Sequence, residues 1–445
     1  MNIGHARRKV TPQGDIYLIG YRNLPNRLEP ATGVHDDVFA NAILFQQGER
    51  EVFLFNADVL EFEESMAEEV KTMLAERYGI DRDCVLLSAT HDHTSIVAYH
   101  RSWWTGKFDE NYYRWFLDTI CQCFEECRAN AQPAICRLGK QVITGFYDNR
   151  IIPGELADNE VIVVSFFDTE GKPFAGFVNW AVHSACVGPD CTELTSELAG
   201  LTGKKLAQSL GYYPAMVVGA AGDCSDRNFR QGRGIPEVER VSTGLAEAIS
   251  QIKLDREVVL DRIEPQTFYH TVAHDDFSLT LKCVVISLGG LHLFVFPSEL
   301  GSDLGIRMKR ECPVEGIVCG YTNGYFEYFL PAREYGLSFE TELLRFPRAN
   351  RNVCVTSSAR RRDFSAQQIR VCRPDCVIWA NEAHCHVIGI FHLLCRSPSR
   401  AYVRPRISRG KAGSLPSHRR LRRHEIDAIP RSEKGEFHEI PEALR

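Results

Sequence analysis

No apolar run in this 445-residue chain approaches the ~18–20 residues that a membrane-spanning helix needs. The longest, such as Val161–Phe167 and Val387–Cys395, are of strand length. The early basic cluster Arg7-Arg8-Lys9 is not followed by the roughly 7–15 apolar residues of a secretory signal. Internal repeats and low-complexity linkers are also missing, which argues against solenoids and arrays. Lysine is almost absent from the last hundred residues. Residues 351–445 hold 19 Lys+Arg against 9 Asp+Glu, and 17 of those 19 are arginine. The preceding 350 residues hold 33 against 49. The overall charge of -6 therefore averages an acidic body and a basic tail.

What is present suits a globular enzyme: 44% hydrophobic and 25% charged residues. Sixteen cysteines in so long a chain, without an export signal, read as reduced thiols in a cytoplasmic protein. Cys121, Cys123 and Cys127 fall on one expected helix, where apolar packing suits them better than metal binding. Alternating strand-like and helix-like segments run through residues 1–345. Hairpins are expected around Gly48-Glu49-Arg50, Asp168–Lys172 and Gly289-Gly290. Helices are expected over Glu61–Tyr78, Asp109–Ala129, Ser196–Leu210 and Pro236–Ile252. Cys84–Ala89 and Ala215–Ala220 read as short strands. The pattern predicts an α/β (mixed α+β) fold, with a mixed sheet and flanking helices forming one large catalytic domain over residues 1–348.

Four apolar strands end in polar groups of catalytic or metal-binding type, which is where α/β enzymes place their chemistry. Thr90-His91-Asp92-His93-Thr94 follows Cys84–Ala89. Two imidazoles one residue apart can flank a metal ion, with the neighbouring hydroxyls and carboxylate orienting them. Asn179-Trp180-Ala181-Val182-His183 ends another strand and offers a third imidazole. Gly222-Asp223-Cys224-Ser225-Asp226-Arg227-Asn228 gathers acceptor, hydroxyl, cation and amide in one loop. Phe296-Pro297-Ser298-Glu299 puts a carboxylate after a strand, and Gly320 to Phe329 is an aromatic loop or edge strand. Taken singly, each also reads as a surface loop, a turn, a helix first turn or core aromatics.

In this order, the set resembles the N-terminal catalytic domain of the neutral/alkaline non-lysosomal ceramidases. Thr90-His91-Asp92-His93-Thr94 resembles that family's Thr-His-Thr-His-Ser segment, and Asn179 to His183 its Asn-Trp-x-x-His. Asn149-Arg150 with Asp158, Ser196-Glu197-Leu198-Ala199-Gly200, Gly222 to Asn228, Phe296 to Glu299, and Asn323, Tyr325, Tyr328 with Glu334-Tyr335 carry the rest. Thr11-Pro12, Gly20-Tyr21 and Asn56-Ala57-Asp58 fit as well. The family's Gly-Pro after the second histidine is absent, and Ser95-Ile96 stands nearby instead.

The resemblance implies a zinc ion held by His91, His183, Glu299 and Tyr328, with His93, Arg150 and Ser225 near a substrate amide. It implies a zinc-dependent amidohydrolase acting on ceramide or another lipid-like N-acyl amide, with either activated water or the Ser225 hydroxyl attacking the carbonyl. A metallo-β-lactamase-type hydrolase is a rival, because Thr-His-x-His also opens that site, but the following Asp-His pair is missing. A rival of another class is nucleic-acid binding through Arg404 to Arg423. Cys372, Cys376, His384, Cys385 and His386 would suit a small zinc site there. The family-like pattern stops near Arg348. Residues 349–445 are expected to be an irregular, frameshift-like tail.

Overall fold

The computed structural model describes residues 1–274, 277–334, 336–338, 340 and 355–358. Most of the tail, including the Arg404–Arg423 stretch and the Cys372–His386 cluster, lies outside these residues. Three five-stranded sheets carry the fold, so the expected mixed sheet is divided in three. The first contains β1 (Asn2–Lys9), β2 (Phe39–Gln47), β3 (Arg50–Ala57) and β4 (Val85–Ala89), in the order β4-β3-β2-β1, with Gln132–Pro133 on the far edge. The second contains β5 (Ile135–Val142), β6 (Glu160–Phe167), β7 (Pro173–Trp180), β8 (Ala215–Val218) and β9 (Arg256–Val258), ordered β8-β7-β6-β5-β9. The third contains β10 (Leu260–His274), β11 (Phe277–Gly289), β12 (Leu291–Val295), β13 (Glu315–Cys319) and β14 (Val355–Ser358), ordered β13-β12-β11-β10-β14.

Five helices are described: α1 (Glu64–Tyr78), α2 (Glu110–Asn130), α3 (Glu197–Leu210), α4 (Gly234–Ser250) and α5 (Ser302–Glu311). The apolar stripe expected in the first is present, with Met66, Val70 and Leu74 buried. Gly79 ends that helix in the left-handed conformation (φ 77), as a C-terminal cap requires. Asp109 starts α2 by accepting from the amides of Asn111 and Tyr112. On that helix Cys121, Cys123 and Cys127 are buried free thiols, and Cys123 and Cys127 pack with Phe116, Ile120 and Phe124 in the main core.

A unit recurs that the sequence does not show as a repeat. In each sheet an antiparallel hairpin is followed by a helix, which returns the chain to a strand parallel to the hairpin's second strand. The units are β2-β3-α1-β4, β6-β7-α3-β8 and β11-β12-α5-β13, and their parallel pairs are β3/β4, β7/β8 and β12/β13. A parallel neighbour demands such a crossover.

Three asparagines lace the units together. Asn56 donates to Met216 O (3.2 Å) and accepts from Met216 N (2.9 Å). Asn179 donates to Val217 O (2.9 Å) and Val318 O (2.8 Å). Asn323 accepts from Leu87 N (2.8 Å) and donates to Val85 O (3.1 Å). Unit one thus reaches unit two, unit two reaches unit three, and unit three returns to unit one. Each amide satisfies main-chain groups of an edge strand that would otherwise be buried unpaired. The C-terminal ends of the parallel strands are held together by this lacing, and the candidate site stands there.

Candidate metal centre

His91 follows β4, His183 follows β7, Glu299 follows β12, and Tyr321 to Tyr328 follow β13. The corners that carry them are tight. His91, Tyr321, Asn323 and Glu327 all have positive φ (59, 49, 68 and 58). Such backbone costs about 1–3 kcal/mol per residue, and it clusters where surrounding packing enforces it. Gly222 shows how close the loops approach, since a Cβ there would lie 2.8 Å from Glu299 O.

The three histidines form the one group of metal-binding type among the described residues, with ligand atoms all within 4.8 Å of one another. His91 and His183 are 1% and 2% exposed. His91 Nδ1 donates to Leu60 O (2.9 Å), so its Nε2 carries the lone pair. That Nε2 stands 3.4 Å from Glu299 Oε1, and His183 Nδ1 stands 3.5 Å from Glu299 Oε2. His93 Nε2 lies between the Nε2 atoms of His91 (3.0 Å) and His183 (2.9 Å). One proton on His93 can serve only one of these neighbours. His183 Nδ1 is buried without a hydrogen-bond partner among the described residues.

Charge cannot relieve this crowding by protonation. Burial lowers His91 well below its usual value, and His93 beside it lowers it further. Burial and then Arg150 do the same to His183, and push His93 down to about 3. Burial raises the Glu299 carboxyl to about 7 despite Arg150. Neutral imidazoles converging on a reluctant carboxylate are the donor set that a divalent cation satisfies.

The phenols divide. Tyr321 donates to Glu299 Oε2 (3.1 Å), and Tyr325 donates to Glu299 Oε1. Tyr328 instead accepts from Arg150 Nη2 (3.4 Å), although its strand segment pairs in parallel with Glu299-Leu300. Arg150 is fixed by Gly222 O (2.8 Å) and lies 3.8 Å from Glu299 Oε2 and 3.6 Å from Glu340 Oε1. Burial opposes its charge, but Tyr328, Glu340 and Glu299 outweigh burial and raise its pKa. Ser225 is buried in the same loop, next to Cys224, whose carbonyl accepts from His183 N (3.2 Å). Its Oγ accepts from Arg227 N (3.2 Å) and bonds no imidazole among the described residues.

The structure therefore brings His91, His93, His183, Glu299 and Arg150 together, with Tyr328 beside Arg150 and Ser225 in the neighbouring loop. Sequence reasoning missed the Leu60 carbonyl, which no side-chain pattern reveals. It named the aromatic segment, with Tyr325 in the resemblance, but gave neither Tyr321 nor Tyr325 a role on Glu299. Tyr21, with φ 50, packs its ring at a tilt of 55° against His93, 5.1 Å between centroids. Gly20 before it has φ 82 and lies so near His93 O that a Cβ would come within 2.3 Å.

Residues 1–209 match the family model of neutral/alkaline non-lysosomal ceramidase, N-terminal. The fold is similar to that of a ceramidase complexed with C2, with a TM-score of 0.67, 16% identity, and 76% of this chain and 71% of that chain covered. It is similar to neutral ceramidase from Pseudomonas aeruginosa, with a TM-score of 0.66, 17% identity, and 76% and 70% covered. The likeness read from the motifs is therefore to the neutral/alkaline non-lysosomal ceramidase family, and the mixed α/β fold is the one these ceramidases have. Among the described residues no helix is long and apolar enough to cross a membrane.

Proposed function

We propose that this chain is a metal-dependent hydrolase of N-acyl amide bonds, ceramidase-like in chemistry, with zinc as the metal. The observation that carries the reading is the convergence of His91 and His183 on Glu299, with His93 between the two imidazoles, at the ends of strands from three units. His91, His183 and Glu299 would hold the ion, and a phenol from Tyr325 or Tyr328 would complete the set. Bound there, zinc supplies Lewis-acid polarisation of a carbonyl and acidifies water.

The remaining work belongs to side chains of this protein. Leu60 O fixes the His91 tautomer, as the orienting partners of metal-bound histidines generally do. His93 is neutral and the least buried of the three imidazoles. It is placed to hold the attacking group or the developing oxyanion by a hydrogen bond. Arg150, locked on Gly222 O and permanently charged, faces the developing oxyanion without reorganising. Ser225, whose hydroxyl meets no base among the described residues, serves as a hydrogen-bonding positioner and not as an activated nucleophile.

The test is elemental analysis combined with a hydrolysis screen of long- and short-chain N-acyl amides, with and without a chelator. About one zinc per chain and chelator-sensitive amide cleavage are expected. Metal-free protein that cleaves amides equally well with the chelator would overturn the reading.

A further inference from the structure

A cavity of about 340 Å³ opens between the first and second sheets, lined by none of the residues of the metal centre. Its floor is set by register. His5 pairs with Ile43 and Arg7 pairs with Asn41 across β1 and β2, so these four side chains share one face. Phe174 of β7 and the Gly211–Tyr213 segment after α3 form the opposite wall.

Arg7 is the unusual group. Its guanidinium lies 3.4 Å from the Phe39 ring centre and 3.9 Å from that of Tyr213. The guanidinium is therefore in close contact with two rings, and what it has left to offer is its N–H edge. Among the described residues that edge has no hydrogen bond and no ion pair, and Nε is buried without a partner. The carboxylates nearby are committed elsewhere: Asp58 to Phe39 N (2.9 Å), and Glu126 to Arg8. On the facing strand, Asn41 Oδ1 is buried and also unpartnered. Unmet donors and acceptors of this kind are costly when buried and favour a ligand that satisfies them.

The geometry points to a second, non-catalytic binding site for a small carboxylate with an apolar body and a hydrogen-bond donor. The Arg7 edge would take the carboxylate in the two-pronged geometry that guanidinium favours. Asn41 Oδ1 would accept from the donor, and Phe174, Ile43 and Ala215 would cover the apolar body. The volume lies at the lower end of the ~300–1,000 Å³ usual for small-molecule sites.

The test uses 4-hydroxyphenylacetate as the probe in calorimetric titration of the full chain. Tyrosol, the neutral alcohol of like shape, and inorganic phosphate are the comparators. Saturable binding of the acid is expected, with tyrosol and phosphate at least about tenfold weaker. Arg7→Met should weaken the acid about tenfold or more while amide hydrolysis is unchanged, and His183→Ala should leave acid binding intact. Arg7→Lys keeps charge and stem but loses the fork. If Arg7→Met does not fold, weakening in Arg7→Lys carries the same expectation. Equal binding of acid and alcohol, phosphate binding as tight as the acid, unchanged affinity in the Arg7 variants, or loss of acid binding in His183→Ala would overturn the proposal.

Discussion

His91 and His183 stand on one side of the candidate centre, and Glu299 with its phenols on the other. The imidazole side is fixed largely by main chain: His91 by Leu60 O, His93 N by Ser184 O, and His183 N by Cys224 O. On the carboxylate side the main chain is anchored too, with Glu299 N donating to Glu327 O (2.9 Å), but the carboxylate itself is held by side chains, Tyr321 and Tyr325, with Tyr328 on Arg150. Groups held by the backbone keep their geometry when neighbouring side chains change. Groups held by phenols do not. The two halves should therefore respond differently to substitution.

The largest effect is expected on the imidazole side. His91→Ala or His183→Ala removes a proposed ligand whose frame stays in place, so the loss should be chemical and not structural. Metal content should fall well below one per chain, and kcat/KM for amide cleavage by about 10³-fold or more, a barrier increase of about 4 kcal/mol. Elemental analysis and kinetics check this, and a near-native thermal melt would show that the corner survives. Full activity in either variant would sink the metal-centre reading.

The carboxylate side offers a sharper discrimination. Tyr325→Phe removes the phenol on Glu299 Oε1, and Tyr328→Phe removes the one beside Arg150. The first should lower metal affinity about 10–100-fold, as loss of a ligand's support does. The second should leave metal affinity intact and lower kcat through a misplaced Arg150. Metal titration against a competing chelator separates the two. A metal defect in Tyr328→Phe alone would return the ligand role to Tyr328.

How much of this was legible beforehand follows the same division. Hairpins and long helices were visible because turn glycines and apolar stripes are local signals. His91, His93 and His183 were visible because each follows an apolar run. The threefold recurrence was not, because it lives in strand pairing across units and in asparagines such as Asn56, whose partner Met216 is 160 residues away. β1 and β5 were missed for a related reason. They carry arginine, lysine and glutamine among few apolar residues, and only long-range pairing makes them strands. On the carboxylate side, Tyr321, Tyr325 and Tyr328 are equivalent in composition, and only the positive φ values of the loop decide which reaches Glu299.

Lacing by asparagine makes a prediction of intermediate size. Asn323→Ala leaves Leu87 N and Val85 O buried without their side-chain partner, and the loop that carries Tyr325 keeps only its main-chain bonds to β4, such as Asn323 N to Leu87 O (2.8 Å). A stability loss of about 2–4 kcal/mol is expected from two such groups, read by denaturant melts. Metal affinity should fall along with it. In Asn56→Ala, which anchors no ligand-bearing loop on the carboxylate side, stability should fall and metal affinity should hold. Equal effects on metal in both variants would break the distinction between the two halves.

The smallest effect tests a titratable support on the imidazole side. Glu197 is fully buried and accepts from Leu198 N (2.6 Å), from Val187 N, and from the Ser184 hydroxyl (3.4 Å) beside His183. Burial raises its carboxyl from 4.5 to about 7. A raised carboxyl favours the protonated folded state. Its contribution is full below the unfolded pKa near 4.5 and is lost as pH rises through about 7. Wild-type protein should therefore lose roughly 2–3 kcal/mol from this group between pH 4.5 and pH 8. Asp58 and Asp223, both raised by burial to about 6, act in the same direction. The difference between wild type and Glu197→Gln isolates the Glu197 share. The variant should be less stable than wild type at pH 5, because its amide cannot accept every donor, and the gap should narrow at pH 8. A gap that stays constant across this range would mean that Glu197 is already ionised in the fold. The His183 corner would then be held by a fixed charge, as the Glu299 side is by Arg150.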